Sequence, residues 1–104
     1  MIKISVMYPT GADAKFDHAY YRDTHMPLVE SRMGAHLHHY TVDKGMAGGA
    51  PGDPPTYAAA GHLFCESVDA FQAGFGPHTQ EIMGDIPNYT NITPLIQISE
   101  VVVG

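Results

Sequence analysis

The sequence contains very little cysteine, since Cys65 is the only one among 104 residues. A lone cysteine excludes an internal disulfide and fits a reducing compartment. Basic residues are also few: 5 lysines and arginines stand against 11 acidic residues, and the formal net charge is −6. This balance argues against nucleic acid as a partner, because nucleic-acid binding needs a basic patch, and equally against an anionic membrane surface.

Long apolar runs are absent as well. No segment approaches the ~20 apolar residues that a membrane-spanning helix needs, so we expect no membrane partner. The first six residues, Met-Ile-Lys-Ile-Ser-Val, alternate as a strand does and are unlike a signal peptide. The length allows one domain with a modest core. We therefore expect a single domain over residues 1–104, located in the cytoplasm.

Histidine is abundant, with seven in the chain, so metal binding is the first hypothesis to test. If Lys44 faced Thr56 across the intervening loop, His38 would face His62. His36, His38 and His62 would then share one sheet face, enough for a divalent metal. No carboxylate or cysteine lies at ligand spacing, however, and strand register is weakly specified here. We therefore expect neither a metal nor a cofactor.

Hydrophobic periodicity and turn residues divide the chain into six elements. Strands are predicted over residues 2–8, 35–44, 56–65 and 95–103, and helices over residues 17–34 and 67–83. The order β-α-β-β-α-β is the ferredoxin-like arrangement of the α+β class. Residues 95–103 are apolar on both faces, which predicts a second copy of the chain packed on the sheet. The expected assembly is a homodimer that forms an α+β barrel.

The first helix contains a proline in its middle, and His25 lies just before it. Pro27 lacks a backbone N–H and its ring clashes with the preceding turn, so a break or kink is expected there. Met26 should be pushed towards an extended backbone. His25 would then lie beside carbonyls without helical partners, and it either serves a function or merely caps them. The inner stripe of the helix is predicted at every fourth residue: Phe16, Tyr20, Thr24 and Leu28.

The same residues carry a resemblance that extends along the whole chain. They are Tyr20-Tyr21, His25-Met-Pro-Leu28, Tyr40-x-Val42, Gly48-Gly-Ala-Pro-Gly52, Pro54-Pro55, Gly61-His-Leu63, Phe71, Pro77-His78, Glu81-Ile82 and Asp85-Ile-Pro-Asn-Tyr-Thr-Asn91. With these motifs the chain resembles the EthD family of small dimeric α+β barrel proteins. The wider superfamily includes cofactor-free monooxygenases, lactone isomerases, polyketide cyclases, decarboxylases, dehydratases and haem enzymes. The resemblance implies a fold and a pocket, but no single reaction.

The candidate site is assigned around His25. An imidazole titrates near neutral pH, so His25 is the candidate general acid or base. Tyr21 is its expected catalytic partner, donating a hydrogen bond to a substrate carbonyl or phenolate. The expected substrate-binding residues are Tyr20, Tyr40, His62 and His78. For His78, at the start of a helical segment, a partly exposed histidine without function is the alternative.

These assignments favour an enzyme that works without a cofactor. It would be a decarboxylase, a cyclase or a monooxygenase, hence a lyase or oxidoreductase, acting on a small aromatic or polyketide-like compound near His25. The alternative is a protein that binds a hydrophobic metabolite without turning it over. A third interpretation is a dimerisation module with a vestigial pocket. Convergence of His25 and a tyrosine hydroxyl on one cavity would favour the enzyme.

Overall fold

Alternating apolar residues form the first strand of a four-stranded sheet. In the computed structural model, which describes residues 1–104, the strands are β1 (Ile2–Pro9), β2 (His39–Lys44), β3 (Tyr57–Cys65) and β4 (Leu95–Glu100). They lie in the order β2-β3-β1-β4, and each neighbouring pair is antiparallel. This is the ferredoxin-like topology, so the predicted α+β fold is confirmed.

Pro27 does not break the first helix. Helix α1, residues 18–33, consists of the turn His18–Tyr20, the π-helical stretch Tyr21–His25 and the α-helical part Met26–Met33. The N–H of Met26 donates to the carbonyl of Tyr21, five residues back, and the proline takes the first turn of the α-helical part. The predicted break is therefore wrong, because a wider turn accommodates the missing N–H. The extended backbone expected at Met26 is also wrong, since its φ is −66° and its ψ is −37°.

The buried stripe of α1 is displaced by one residue from the predicted one. Thr24 is exposed, whereas Phe16, Tyr20 and Leu28 are only partly buried. The buried positions are Tyr21, His25, Met26, Val29 and Met33. The four-residue spacing was predicted correctly, but the phase was not. The reason is that the buried series contains His25, a polar residue that a hydrophobic pattern does not count.

The second half of the chain forms shorter helical pieces. Helix α2 (Val68–Phe75) begins at Ser67, whose Oγ accepts a hydrogen bond from the N–H of Ala70 at 3.1 Å, as a helix cap does. A 3-10 turn (Gly76–His78) and helix α3 (Thr79–Gly84) follow. No helix of the chain is both long and apolar enough to cross a membrane.

Two strands are shorter than predicted. The first helix continues into a 3-10 turn, Gly34–His36, so β2 begins at His39 and not at residue 35. Gly34 has a φ of 55°, a conformation that glycine adopts without the strain other residues incur. β4 ends at Glu100, and residues 101–104 lie beyond the sheet.

The helices cover one face of the sheet, and the hydrophobic core lies between them. Ile4, Tyr8 and Leu63 point into this core. On the opposite, open face, β1 presents Lys3, Ser5 and Met7, which lie beside Phe64, His62 and Ala60 of β3. β4 is an edge strand, and Leu95, Ile96 and Ile98 are 57%, 54% and 46% exposed within the single chain.

Candidate functional site

A cavity of about 80 Å³ lies between the helices and the sheet. A cavity of this volume holds several water molecules. Thirteen of its fifteen lining residues are hydrophobic: Ile4, Val6, Tyr8, Tyr21, Met26, Val29, Leu63, Phe71, Phe75, Ile82, Met83, Ile86 and Ile96, with His25 and Gly61 completing the wall. Ile96 and Met83 are partly exposed, so the cavity opens between β4 and α3.

His25 is the one ionisable imidazole in the cavity wall. Its residue is 4% exposed, and its Nδ1 lies 2.9 Å from Oδ2 of Asp85. An ionised carboxylate only accepts hydrogen bonds, so the neutral imidazole carries its proton on Nδ1 and leaves Nε2 as an acceptor. Nε2 lies 3.4 Å from the hydroxyl of Tyr89, a long and weak hydrogen bond.

Asp85 is held as a carboxylate by three hydrogen-bond donors. Besides His25, the hydroxyl of Tyr20 donates to Oδ1 at 2.7 Å, and Nδ2 of Asn88 donates to the same oxygen at 2.9 Å. Burial raises the pKa of Asp85, but the hydrogen bonds from Asn88, His25 and Tyr20 outweigh it and hold the pKa below the usual range. Asp85 therefore orients the imidazole and offers it a negative partner.

His25 is neutral in the resting protein. Burial lowers the pKa of His25, and the hydrogen bond and the charge of Asp85 oppose this shift only in part. At neutral pH the Nε2 lone pair, which has only the long hydrogen bond to Tyr89, is a base. If it takes up a proton, the imidazolium remains paired with the carboxylate behind it.

Tyrosine hydroxyls supply the other polar groups. The hydroxyls of Tyr8 and Tyr89 share a hydrogen bond of 2.6 Å. Burial, the largest cause in each case, raises the pKa values of Tyr8, Tyr21 and Tyr89, so the phenols stay protonated. In the bond between Tyr8 and Tyr89 one hydroxyl donates and the other accepts. Tyr8 and Tyr21 line the cavity itself. A Cβ at Gly61 would overlap the hydroxyl of Tyr21, so glycine there makes room for this ring.

Local structure explains why these groups meet. The π-helical stretch has Tyr21 and His25 at its two ends, and their rings stack with centroids 5.5 Å apart and planes at 14°. π-helical turns of this kind occur frequently at functional sites. Asp85 follows α3, and a 3-10 turn (Ile86–Asn88) leads from it to Tyr89. Two short segments therefore supply the imidazole, the carboxylate and two phenols.

The structure brings only some of the predicted site residues together. His25 and Tyr21 line the cavity, and Tyr20 reaches the site through Asp85. Tyr40 packs against the core on the helix side of the sheet but does not line the cavity. His78 ends the 3-10 turn before α3, also outside the cavity wall.

His62 lies on the opposite face of the sheet from the cavity. Its Nδ1 is 2.9 Å from Oγ of Ser5, and its Nε2 is 3.2 Å from Oδ2 of Asp43. The register pairs His62 with Thr41, so the assumed pairing with His38 is wrong. The pairing fails because the loop is longer than assumed and Lys44 faces Ala59.

This register also excludes the arrangement in which His36, His38 and His62 share one sheet face. His36 belongs to the 3-10 turn before β2, and His38 precedes the strand, with its Nδ1 2.7 Å from Nδ1 of His39. No three histidine, cysteine or acidic side chains of the chain converge as metal ligands.

Sequence reasoning missed Asp85, Tyr8 and Tyr89 as parts of the site. Tyr8 lies on the apolar face of β1, a position that by itself predicts only a core residue. Asp85 and Tyr89 belong to the Asp85-Ile-Pro-Asn-Tyr-Thr-Asn91 motif, which entered the family resemblance without a role. A conspicuous motif in an irregular loop was the one available signal, since binding residues concentrate in loops held by a scaffold.

Comparison with known proteins identifies the family. Residues 9–93 match the EthD domain. An EthD-like protein from Ralstonia eutropha JMP134 is 53% identical, with 98% of this chain and 92% of that chain covered and a TM-score of 0.94. The chain belongs to the EthD family. No curated protein matches the sequence.

Two further solved structures share the fold at low identity. An EthD family protein from Bacillus halodurans C-125 is 16% identical, covers 96% of this chain and 97% of its own, and gives a TM-score of 0.66. HapK from Hahella chejuensis is 12% identical, with 100% of this chain and 96% of that chain covered and a TM-score of 0.56. These likenesses show the fold alone.

Proposed function

We propose that this EthD-family protein is an enzyme that works without a cofactor on a small aromatic or polyketide-like compound. The observation that carries the proposal is His25 in the wall of an otherwise apolar cavity, with the carboxylate of Asp85 bonded to its ring from outside the wall. A base is useful when its pKa lies near the working pH and its charged form has a partner. Burial lowers the pKa of His25 and keeps the resting imidazole in the neutral form that a base needs. Asp85 supplies the partner for the imidazolium.

In this mechanism His25 moves one proton. Nε2 takes a proton from an acidic C–H or O–H of the bound compound, and Asp85 stabilises the resulting imidazolium. The hydroxyls of Tyr8 and Tyr21 donate hydrogen bonds to the oxygen on which negative charge develops. Such donors act strongly in a cavity with little water. His25 then returns the proton to the product.

The second candidate is a protein that binds a hydrophobic metabolite without changing it. The nearly complete apolar lining favours this alternative. In this case His25 and the tyrosines only orient the metabolite, and the π-helical turn serves to fit them into the wall.

Proton exchange at carbon distinguishes the two candidates. The protein is incubated with an aryl methyl ketone in D₂O, and deuteration of the methyl group is followed by NMR. We expect His25→Gln to bind the ketone but to lose at least roughly a hundredfold in exchange rate, the usual scale of general acid–base work. The control is His36→Gln, an exposed residue of the 3-10 turn before β2 that does not line the cavity. Binding without exchange in the unmodified protein would leave only the carrier.

We also propose a homodimer as the working assembly. Leu95 of β4 is 57% exposed and lies beside Met7 on the open face, where the two form an apolar patch that a second copy would cover. The open face also holds the bonded group Ser5, His62 and Asp43, whose mutual hydrogen bonds would let it be buried. An interface of this type should bury upwards of ~2,000 Å². A stable folded species of 11.2 kDa in sedimentation equilibrium would exclude the dimer.

A further inference from the structure

The charges around the cavity limit the compounds that it can take. No lysine, arginine, aspartate or glutamate lines its wall. The carboxylate of Asp85 lies at the other side of the His25 ring, bonded to Nδ1. A negatively charged ligand group at His25 would meet no cation and would face this carboxylate.

The basic residues of the chain all lie elsewhere. Arg22 pairs with Asp23 and Arg32 pairs with Glu81, both on the protein surface. The remaining three are on the open face, in a loop or at the end of β2: Lys3, Lys15 and Lys44. None of them lines the cavity. An anion that entered would lose its hydration without gaining a positive partner, which is costly in an apolar site.

The groups that do face the cavity suit an uncharged, weakly acidic compound. Tyr8 and Tyr21 offer hydroxyl donors, and His25 offers an acceptor. A ketone needs a donor at its oxygen and a base near its α-carbon, and a phenol needs an acceptor for its hydroxyl. Both needs are met without any net charge on the incoming molecule.

We propose that the cavity takes uncharged ring compounds bearing a hydrogen-bond acceptor, such as a carbonyl, or a phenolic hydroxyl, acts on them by proton transfer, and rejects carboxylates. The part on proton transfer rests on the function proposed above. Among the reactions expected from the family resemblance, this favours cyclisation. It disfavours decarboxylation, because a decarboxylase must bind a carboxylate before it removes carbon dioxide.

Three matched ring compounds test this proposal. In nitrobenzisoxazole a base removes the proton on the ring carbon beside nitrogen, the N–O bond breaks, and a cyanophenolate forms. The same ring with a carboxylate on that carbon loses carbon dioxide, the N–O bond breaks, and the same coloured cyanophenolate forms. A third compound with a primary amide there has the size of the carboxylate without its charge. Binding is measured by calorimetry at pH 8, and turnover by absorbance.

The outcomes separate the proposal from the function on which it rests. We expect the parent ring and the amide to bind, the carboxylate to bind at least about tenfold more weakly, and His25→Gln to abolish elimination. Equal or tighter binding of the carboxylate overturns the substrate class, as does failure of both neutral rings to bind. If the neutral rings bind selectively but no elimination depends on His25, the proposed substrate class stands and the proposed enzymatic function is refuted.

Discussion

The stability of the folded protein should fall as the pH drops below 6.5, and His25 should be a main cause. Burial lowers the pKa of His25 in the folded state, whereas the unfolded chain has the ordinary value of 6.5. Between these two values the unfolded state binds a proton that the folded state does not. The free energy of unfolding therefore decreases on acidification, by up to about 1.4 kcal/mol per pH unit from this one group. Above pH 6.5 both states are neutral and the contribution is constant.

Urea unfolding at pH 8.0, 7.0, 6.0 and 5.0 measures this dependence. One protein concentration is used throughout, because the stability of a dimer depends on protein concentration. In His25→Gln the free energy of unfolding should depend less on pH, by up to the uptake of one proton on unfolding. His18 has a lowered pKa too, through partial burial first and Lys44 second, so His18→Gln should remove a separate part of the slope. His36→Gln, in the exposed 3-10 turn before β2, is the matched control. If His25→Gln kept the full slope of the unmodified protein, the imidazole would not be buried and neutral, and the base assigned here would be lost.

Two other predictions concern packing. Gly61→Ala should destabilise the fold by about 1–3 kcal/mol, because its methyl group would overlap the Tyr21 hydroxyl. Gly84→Ala has open space around it in α3 and should be neutral or stabilising. Thermal unfolding of both variants tests this, and equal shifts of the two melting temperatures would contradict it. Cys65 is fully buried and burial raises its pKa, so a disulfide reagent should react with it only after unfolding. Rapid reaction in the native protein would contradict that burial.

The fold could be predicted from the sequence because periodicity and turn residues act locally. Ser67 starts a helix by its own hydroxyl, and the alternating residues of β1 fix which face is buried. Strand ends were less predictable: the last strand stops at residue 100 although its apolar pattern continues to residue 103. Apolar character alone does not distinguish a paired residue from an exposed one.

The site was half predictable, for a different reason. His25 was found because proline chemistry marks a local irregularity, even though the irregularity is a π-helical turn and not a break. Asp85 is 60 residues away in sequence, and its meeting with His25 depends on how α3 packs against α1. His62 was misplaced because a strand register decides which face a side chain occupies. Partners distant in sequence are fixed by tertiary packing, which no local pattern encodes.

The balance at His25 links the fold to the proposed chemistry. Burial by the core makes the imidazole neutral, and a carboxylate held by three donors makes its charged form tolerable. If burial acted alone, Nε2 would be too weak a base, and if Asp85 acted on an exposed ring, the imidazole would already be protonated at mildly acidic pH. The π-helical turn is what permits both, because it keeps His25 on the buried side of α1 with Nδ1 turned to Asp85. The same burial that stabilises the domain at neutral pH therefore prepares the base, and both should fail together when the protein is acidified.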